Sequence, residues 1–118
     1  MIPALKSATL NYYETVDTRG PEDVVALFAR DALYRRPGYE TFVGRPSLLS
    51  FYGGQRVIER GRHVVKVLLV DGDRVAVEGE FEGFLRDGSE VNLRFADFFR
   101  FTEGLIAERA SYFDVPAV

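Results

Sequence analysis

Residues 62–114 read RHVVKVLLVDGDRVAVEGEFEGFLRDGSEVNLRFADFFRFTEGLIAERASYFD, and this stretch decides the fold. Apolar and polar residues alternate through it in long runs, which is typical of β-strands. Glycine-containing turn sequences divide the stretch into hairpins: DGD at 71–73, DG at 87–88 and TEG at 102–104. We therefore predict four antiparallel strands, over residues 62–70, 74–85, 90–101 and 105–114.

The first half of the chain has helical periodicity instead. Apolar residues recur at helical spacing from Leu5 to Val16, and Pro21 opens a second short helix that includes Leu27 and Phe28. A short strand is predicted over residues 32–36. Pro46 opens a third helix, which a glycine pair at 53–54 weakens and which residues 55–59 extend. Helices followed by a meander of long strands predict an α+β fold with the helices on one face of the sheet.

Composition limits the classes of function. The chain has 118 residues, which fits one domain over residues 1–118, and 47% of them are apolar, enough for a core. A net charge of −3 without a basic stripe disfavours nucleic acid as a partner. There are no cysteines, which excludes thiolate metal sites. The N-terminal segment resembles neither a signal peptide nor a membrane anchor, so we predict a cytoplasmic protein with no membrane partner.

Strand alternation sorts the side chains onto two faces. With two-residue loops at both Asp-Gly turns and a three-residue loop at 102–104, Glu80 faces Phe95 and Arg109 faces Asp97. The face that carries these residues also carries His63, Ser111, Glu78 and Glu82. Its alternating acids are compatible with a solvated face, whereas its apolar neighbours favour a pocket wall. Both faces are partly apolar, so we expect a homodimer in which a second copy covers part of the outer face.

Three segments carry a resemblance to a known family. They are VVALFARDALYRRP at 24–37, FVGRPSLLSFY at 42–52 and FADFFRFTEGLIAERASYFD at 95–114. Together they resemble SnoaL-like and ketosteroid isomerase-like proteins of the nuclear transport factor 2-like superfamily. The resemblance implies a cone-shaped α+β fold, with three N-terminal helices packed on a curved, mostly antiparallel sheet that encloses a pocket. It also implies that the face bearing Glu80 and Asp97 lines this pocket.

The resemblance assigns roles to particular residues. Tyr12 matches the oxyanion-hole tyrosine of ketosteroid isomerases, and Asp97 matches their second oxyanion-hole donor. Arg36 stands where those enzymes have their proton-shuttling carboxylate, so their standard reaction is not expected. Tyr34 matches the water-positioning tyrosine of limonene epoxide hydrolase-like proteins. The Asp-Arg-Asp set of those proteins is not retained, because its places are taken by Glu80, Glu78 and Ser111.

These considerations predict a set of site residues. Glu80 is the expected base, with Tyr12 and Asp97 as the other catalytic groups. The expected ligand-binding residues are Arg36, Tyr34, His63, Phe95, Arg109 and Ser111. Structural roles remain open for three of these positions. Asp97 and Arg109 can form a purely structural ion pair, and Glu80 can face solvent or a second subunit. His63 can be a surface group at a strand end. One histidine without cysteine makes a zinc site improbable.

Three functions remain open at this point. The first is an enzyme, an isomerase, cyclase or hydrolase that acts by acid–base chemistry on a small apolar carbonyl or epoxide compound without a cofactor. The second is a non-catalytic protein that binds a small carboxylate-bearing ligand through Arg36 and Arg109. The third is a dimeric interaction protein that recruits a partner through its exposed sheet.

Overall fold

Helices come first along the chain and long strands last, as the periodicity predicts. The structure, a computed structural model, describes residues 4–116. Its helices are α1 (Ala4–Thr18), α2 (Pro21–Val25) and α3 (Gly44–Ser50), and α3 continues into a π-helical turn at Phe51–Gln55. Its strands are β1 (Phe28–Arg35), β2 (Phe42–Val43), β3 (Ile58–Asp71), β4 (Arg74–Leu85), β5 (Glu90–Thr102) and β6 (Leu105–Phe113).

The six strands form one sheet in the order β2-β1-β6-β5-β4-β3. The β1–β6 pair is parallel and the other neighbouring pairs are antiparallel. Helix α1 packs on the inner face of the sheet, where the Tyr12 ring lies 5.6 Å from that of Phe99 and the Tyr13 ring 5.6 Å from that of Phe95. The α+β prediction with helices on one sheet face is therefore confirmed.

The ends of α2 and α3 differ from the prediction. Phe28 begins β1 rather than ending α2, because it pairs with Ile106 and is fully buried, so tertiary pairing outweighs local helical preference. Residues 55–59 are not a helical extension, since the π-helical turn ends at Gln55 and β3 begins at Ile58. A backbone hydrogen bond of 2.8 Å from Arg56 N to Phe51 O closes that turn.

The predicted register of β4 is wrong by one residue on both sides. On the β3 side, an irregularity between Val65 and Val67 shifts the pairing, so Glu80 lies opposite Val64 instead of Val65. On the β5 side, the Asp-Gly turn spans three residues between Leu85 and Ser89, so Glu80 lies opposite Arg94 instead of Phe95. A shift of one residue moves a side chain to the other face of a sheet. Glu80 consequently lies on the outer face, exposed to solvent.

The β5–β6 register is displaced by two residues, which preserves the faces. The loop at Glu103-Gly104 has two residues rather than three, and the pairing shifts between Arg100 and Phe101. Asp97 therefore lies opposite Ser111. Because a two-residue displacement does not invert the side chains, Asp97, Arg109 and Ser111 all point inward, as predicted.

Candidate active site

A small hollow lies between the inner sheet face and the helices. Its enclosed space is about 20 Å³, which is room for one water-sized group. Aromatic and aliphatic side chains form most of the wall, with three arginines and the single histidine among them. The lining residues are Tyr12, Val16, Arg36, Tyr52, Arg56, Ile58, His63, Phe81, Leu93, Phe95, Arg109 and Phe113.

Asp97 is the acceptor at the centre of a hydrogen-bond network behind this wall. Arg109 Nη2 donates to its Oδ2 at 2.8 Å, and the Tyr13 hydroxyl donates to the same oxygen at 2.5 Å. The Ser111 hydroxyl donates to Oδ1 at 2.5 Å. Tyr34 lies 2.9 Å from Ser111 Oγ and accepts a hydrogen bond of 2.6 Å from Arg36 Nη1. Since Ser111 uses its own proton on Asp97, the Tyr34 hydroxyl donates to Ser111.

This network determines the charge of Asp97. Its side chain is 0% exposed, and burial alone would raise its pKa. The Arg109 guanidinium and the hydrogen bonds from Ser111 and Tyr13 outweigh burial, so the pKa of Asp97 is lowered from its ordinary value. Asp97 is therefore an ionised carboxylate and not a hydrogen-bond donor. The expected ion pair with Arg109 is present, and each carboxylate oxygen has a donor.

Tyr12 and Tyr52 form a hydroxyl pair at the wall of the hollow. Their oxygens are 2.5 Å apart, and Arg109 Nη1 lies 3.3 Å from the Tyr52 oxygen. Burial raises the pKa of both phenols, so both remain protonated at neutral pH. The pair has two hydroxyl protons, and one of them forms the hydrogen bond between the two tyrosines. The second proton is thus available to a group inside the hollow.

His63 is fixed from behind by the end of helix α1. The Oδ1 of Asp17 lies 2.6 Å from His63 Nδ1, and Asp17 Oδ2 accepts a hydrogen bond of 2.8 Å from the His63 backbone N–H. The imidazole packs among aromatic rings, with centroid distances of 5.1 Å to Tyr13, 4.7 Å to Phe81 and 5.3 Å to Phe95. Asp17 therefore sets the orientation of the only histidine in the chain.

The surroundings of His63 favour its neutral form. Burial lowers the pKa of His63, and the hydrogen bond and negative charge of Asp17 offset this only in part. In the neutral ring the Asp17 carboxylate selects the tautomer with the proton on Nδ1. This leaves the Nε2 lone pair unprotonated. A neutral imidazole that lines a cavity and is oriented by a carboxylate has the properties of a general base.

The structure brings together most of the residues predicted from the sequence, with one exception. Arg36, His63, Phe95, Arg109 and Tyr12 line the hollow, and Tyr34, Asp97 and Ser111 form the network behind it. Glu80 is the exception, because the register shifts described above place its side chain on the outer face with Val64 and Arg94. The prediction that Glu80 lines the pocket is wrong.

Sequence reasoning missed several side chains at this site. Arg56 directly follows the π-helical turn, whose geometry has no clear signature in the sequence. Asp17 and Tyr13 were detectable in principle. They are four residues apart on α1 and therefore share one helix face, the face that meets the sheet.

Two other features bear on the class of protein. Within residues 4–116, no group of three or more His, Asp or Glu side chains is placed to hold a metal ion. Across the same described range, no helix has the length and apolar character needed to cross a membrane.

The chain has the fold of nuclear transport factor 2-like proteins. A family model for the SnoaL-like domain matches residues 10–109. Because this match covers most of the chain, the protein belongs to the SnoaL-like domain family, as its motifs predicted. No curated protein sequence matches the chain.

Solved structures show the same fold at low sequence identity. An NTF2-like protein of unknown function from Burkholderia pseudomallei has a TM-score of 0.85 and 21% identity, with 96% of this chain and 92% of that chain covered. A hypothetical protein with a ketosteroid isomerase-like fold from Catenulispora acidiphila, in complex with trimethylamine, has a TM-score of 0.79 and 18% identity over 89% and 83% of the two chains. SalBIII, an epoxide hydrolase/cyclase-like enzyme of pyran ring formation, has a TM-score of 0.82 and 20% identity over 93% and 90%.

Proposed function

We propose that the protein is a cofactor-free acid–base enzyme of the isomerase or cyclase type that acts on a small carbonyl compound. The observation that carries this proposal is the Asp17–His63 pair, in which a neutral imidazole lines the hollow with its tautomer set by a 2.6 Å contact to Asp17 Oδ1. This replaces Glu80 as the base. The fold supports the same class, since SalBIII is described as an epoxide hydrolase/cyclase-like enzyme.

The chemistry follows from the groups in the hollow. His63 Nε2 accepts a proton from a carbon next to the carbonyl group, and the electron pair of that C–H bond moves to the carbonyl oxygen. The spare hydroxyl proton of the Tyr12–Tyr52 pair hydrogen-bonds the developing oxyanion, and the nearby Arg109 cation stabilises its charge. Return of the proton from His63 to another atom of the substrate gives an isomer. No other reactant is consumed.

The size of the hollow specifies how a substrate is placed. The enclosed space of about 20 Å³ admits one polar group and no more. It shares Val16, Tyr52, Arg56 and Ile58 with a surface groove that offers about 350 Å³ of space. Sites for small organic ligands have volumes in this range. The body of the substrate therefore lies in the groove, and its reactive carbonyl end enters the hollow.

Proton exchange with solvent tests this function before the natural substrate is known. An enzyme that removes a proton next to a carbonyl group also catalyses exchange of that proton for deuterium in D₂O. We expect the protein to accelerate exchange in some members of a panel of small ketones and keto acids followed by ¹H NMR. If every compound in a broad panel exchanges at the buffer rate while some of them bind, the catalytic proposal fails. The second candidate, a non-catalytic binding protein, then takes its place.

We also propose that the protein is a homodimer through the outer sheet face. Phe98 and Tyr112 form a ring pair there, 53% and 57% exposed, and Leu69 is 64% exposed. A contiguous apolar patch of this kind on a sheet face marks an interface in soluble proteins. The outer face thus has the apolar character that a second copy of the chain would cover.

Sedimentation velocity checks the dimer. We expect the mass of two chains at micromolar concentration and the mass of one chain after Phe98→Arg, because a buried unpaired charge is costly at an interface. Val43→Arg is the matched control, since Val43 is 62% exposed but lies in β2 at the opposite edge from β3. A monomeric wild-type protein, or a dimer that survives Phe98→Arg, contradicts the proposed interface.

A further inference from the structure

The wall of the hollow carries positive charge without a carboxylate on its surface. Arg36, Arg56 and Arg109 all contribute to the lining, and no Asp or Glu does. The two nearest acids are both engaged from behind the wall: Asp97 holds Arg109, and Asp17 holds His63. Among the described residues, those that line the hollow therefore give it a positive electrostatic potential.

Arg56 is the arginine whose position is hardest to explain by stability. It follows the π-helical turn and lines both the hollow and the surface groove. Among residues 4–116, no hydrogen bond or ion pair uses its guanidinium group; its backbone N–H donates to Phe51 O and its backbone oxygen accepts from Arg86 Nε. Burial lowers the pKa of Arg56, and the positive charge of Arg36 acts in the same direction. The guanidinium of Arg56 is therefore open to an anion in the groove.

Arg109 is a second cation at the wall of the hollow. Its two terminal nitrogens are used by Asp97 and Tyr52, and its side chain is only 5% exposed. Its Nε is buried and has no hydrogen-bond partner among the described residues.

From these two cations we infer that the substrate is a small organic acid, whose carboxylate is held by Arg56 where the groove meets the hollow. This rests on the proposed function and names its substrate class. The hollow has room for a single polar group, and the groove that Arg56 borders has room for the rest of the molecule. Guanidinium groups bind carboxylates through paired, charge-assisted hydrogen bonds. With its carboxylate on Arg56, the substrate has its carbonyl group in the hollow beside His63.

A pair of isosteric probes tests the charge requirement directly. Phenylacetate and phenylacetamide have nearly the same shape, but only the first is an anion. By isothermal titration calorimetry at pH 7.5 we expect phenylacetate to bind at least about tenfold more tightly, because only its anionic group gains a charge-assisted contact. Trimethylammonium serves as a cationic probe in the same titrations. The inference is overturned if the first two probes bind equally, if neither binds, or if trimethylammonium binds more tightly than phenylacetate.

Variants of Arg56 test whether this residue binds the carboxylate. We expect Arg56→Gln to abolish the preference for phenylacetate, and Arg56→Lys to keep part of it because the charge remains without the paired geometry. Arg60→Gln is the matched control, since Arg60 borders the groove but does not line the hollow. A preference that survives Arg56→Gln in a folded protein contradicts the assignment. The catalytic proposal is tested independently by deuterium exchange. If the protein binds phenylacetate but catalyses no exchange, the catalytic proposal fails and the anion-binding site stands.

Discussion

Replacement of His63 by Gln is expected to lower the rate of deuterium exchange by about 100- to 10,000-fold for any compound that the wild-type protein exchanges. Gln has a similar reach and keeps a polar end group, but it has no group that accepts a proton at neutral pH. Gln fills part of the space that the ring occupies among Tyr13, Phe81 and Phe95. The measurement is the exchange rate by ¹H NMR at saturating compound, with binding of the same compound as the check on folding.

Two further variants make this result specific. Glu80→Gln is the matched control, because Glu80 is exposed on the outer face, and its exchange rate is expected to equal that of the wild-type protein. Asp17→Asn removes the negative charge that raises the pKa of His63 and weakens the hydrogen bond to its ring, so this pKa should fall further below its ordinary value. The single histidine allows the pKa to be read from one Hε1 resonance. A large loss in Glu80→Gln with none in His63→Gln would reinstate Glu80 as the base.

The contrast between Glu80 and His63 shows what local sequence patterns can and cannot predict. Alternation and glycine turns identified the strands of the long meander and the α+β class, because both signals come from neighbouring residues. The face of β4 depended on a single irregularity near Lys66 and on one extra residue in the Asp-Gly turn. A one-residue change in either place moves the acids from the pocket to solvent, and no residue type in these segments requires it.

Residues whose position did not depend on that register were placed correctly. Asp97, Arg109 and Ser111 lie on β5 and β6, where the error in the predicted register was two residues and left the faces unchanged. The aromatic ring of Phe95 occupies the inner face over Gly79, where an added Cβ would lie 2.8 Å from the ring. The residues contributed by the helices, Asp17 and Arg56, needed the packing of α1 and the π-helical turn on the sheet, which a single sequence does not encode in local spacing.

The second large effect is expected for stability, from Asp97→Asn. The substitution keeps the shape of the side chain but removes the charge that compensates Arg109, and both groups are almost fully buried. Removal of one partner of a buried ion pair destabilises a protein by about 3–5 kcal/mol, because the other charge stays buried without compensation. We expect a loss of this size in the free energy of unfolding measured in urea. Glu82→Gln removes the exposed pair between Arg62 and Glu82, where the atoms are 2.9 Å apart, and should change stability little.

The same pair should determine part of the acid sensitivity of the fold. The pKa of Asp97 is lower in the folded protein than in the unfolded chain, where it is about 3.9. Its contribution to stability is therefore fully present above that value and is lost as the pH falls through the folded-state pKa. His63 acts earlier: its folded-state pKa is also lowered, so stability begins to fall below about pH 6.5 as the unfolded state takes up a proton. In Asp97→Asn the loss near pH 6 should remain and the steeper loss below pH 4 should become smaller. The free energy of unfolding of each protein is measured from pH 7 to pH 3. If the difference between the two proteins is the same at every pH, Asp97 is not the anion that stabilises Arg109.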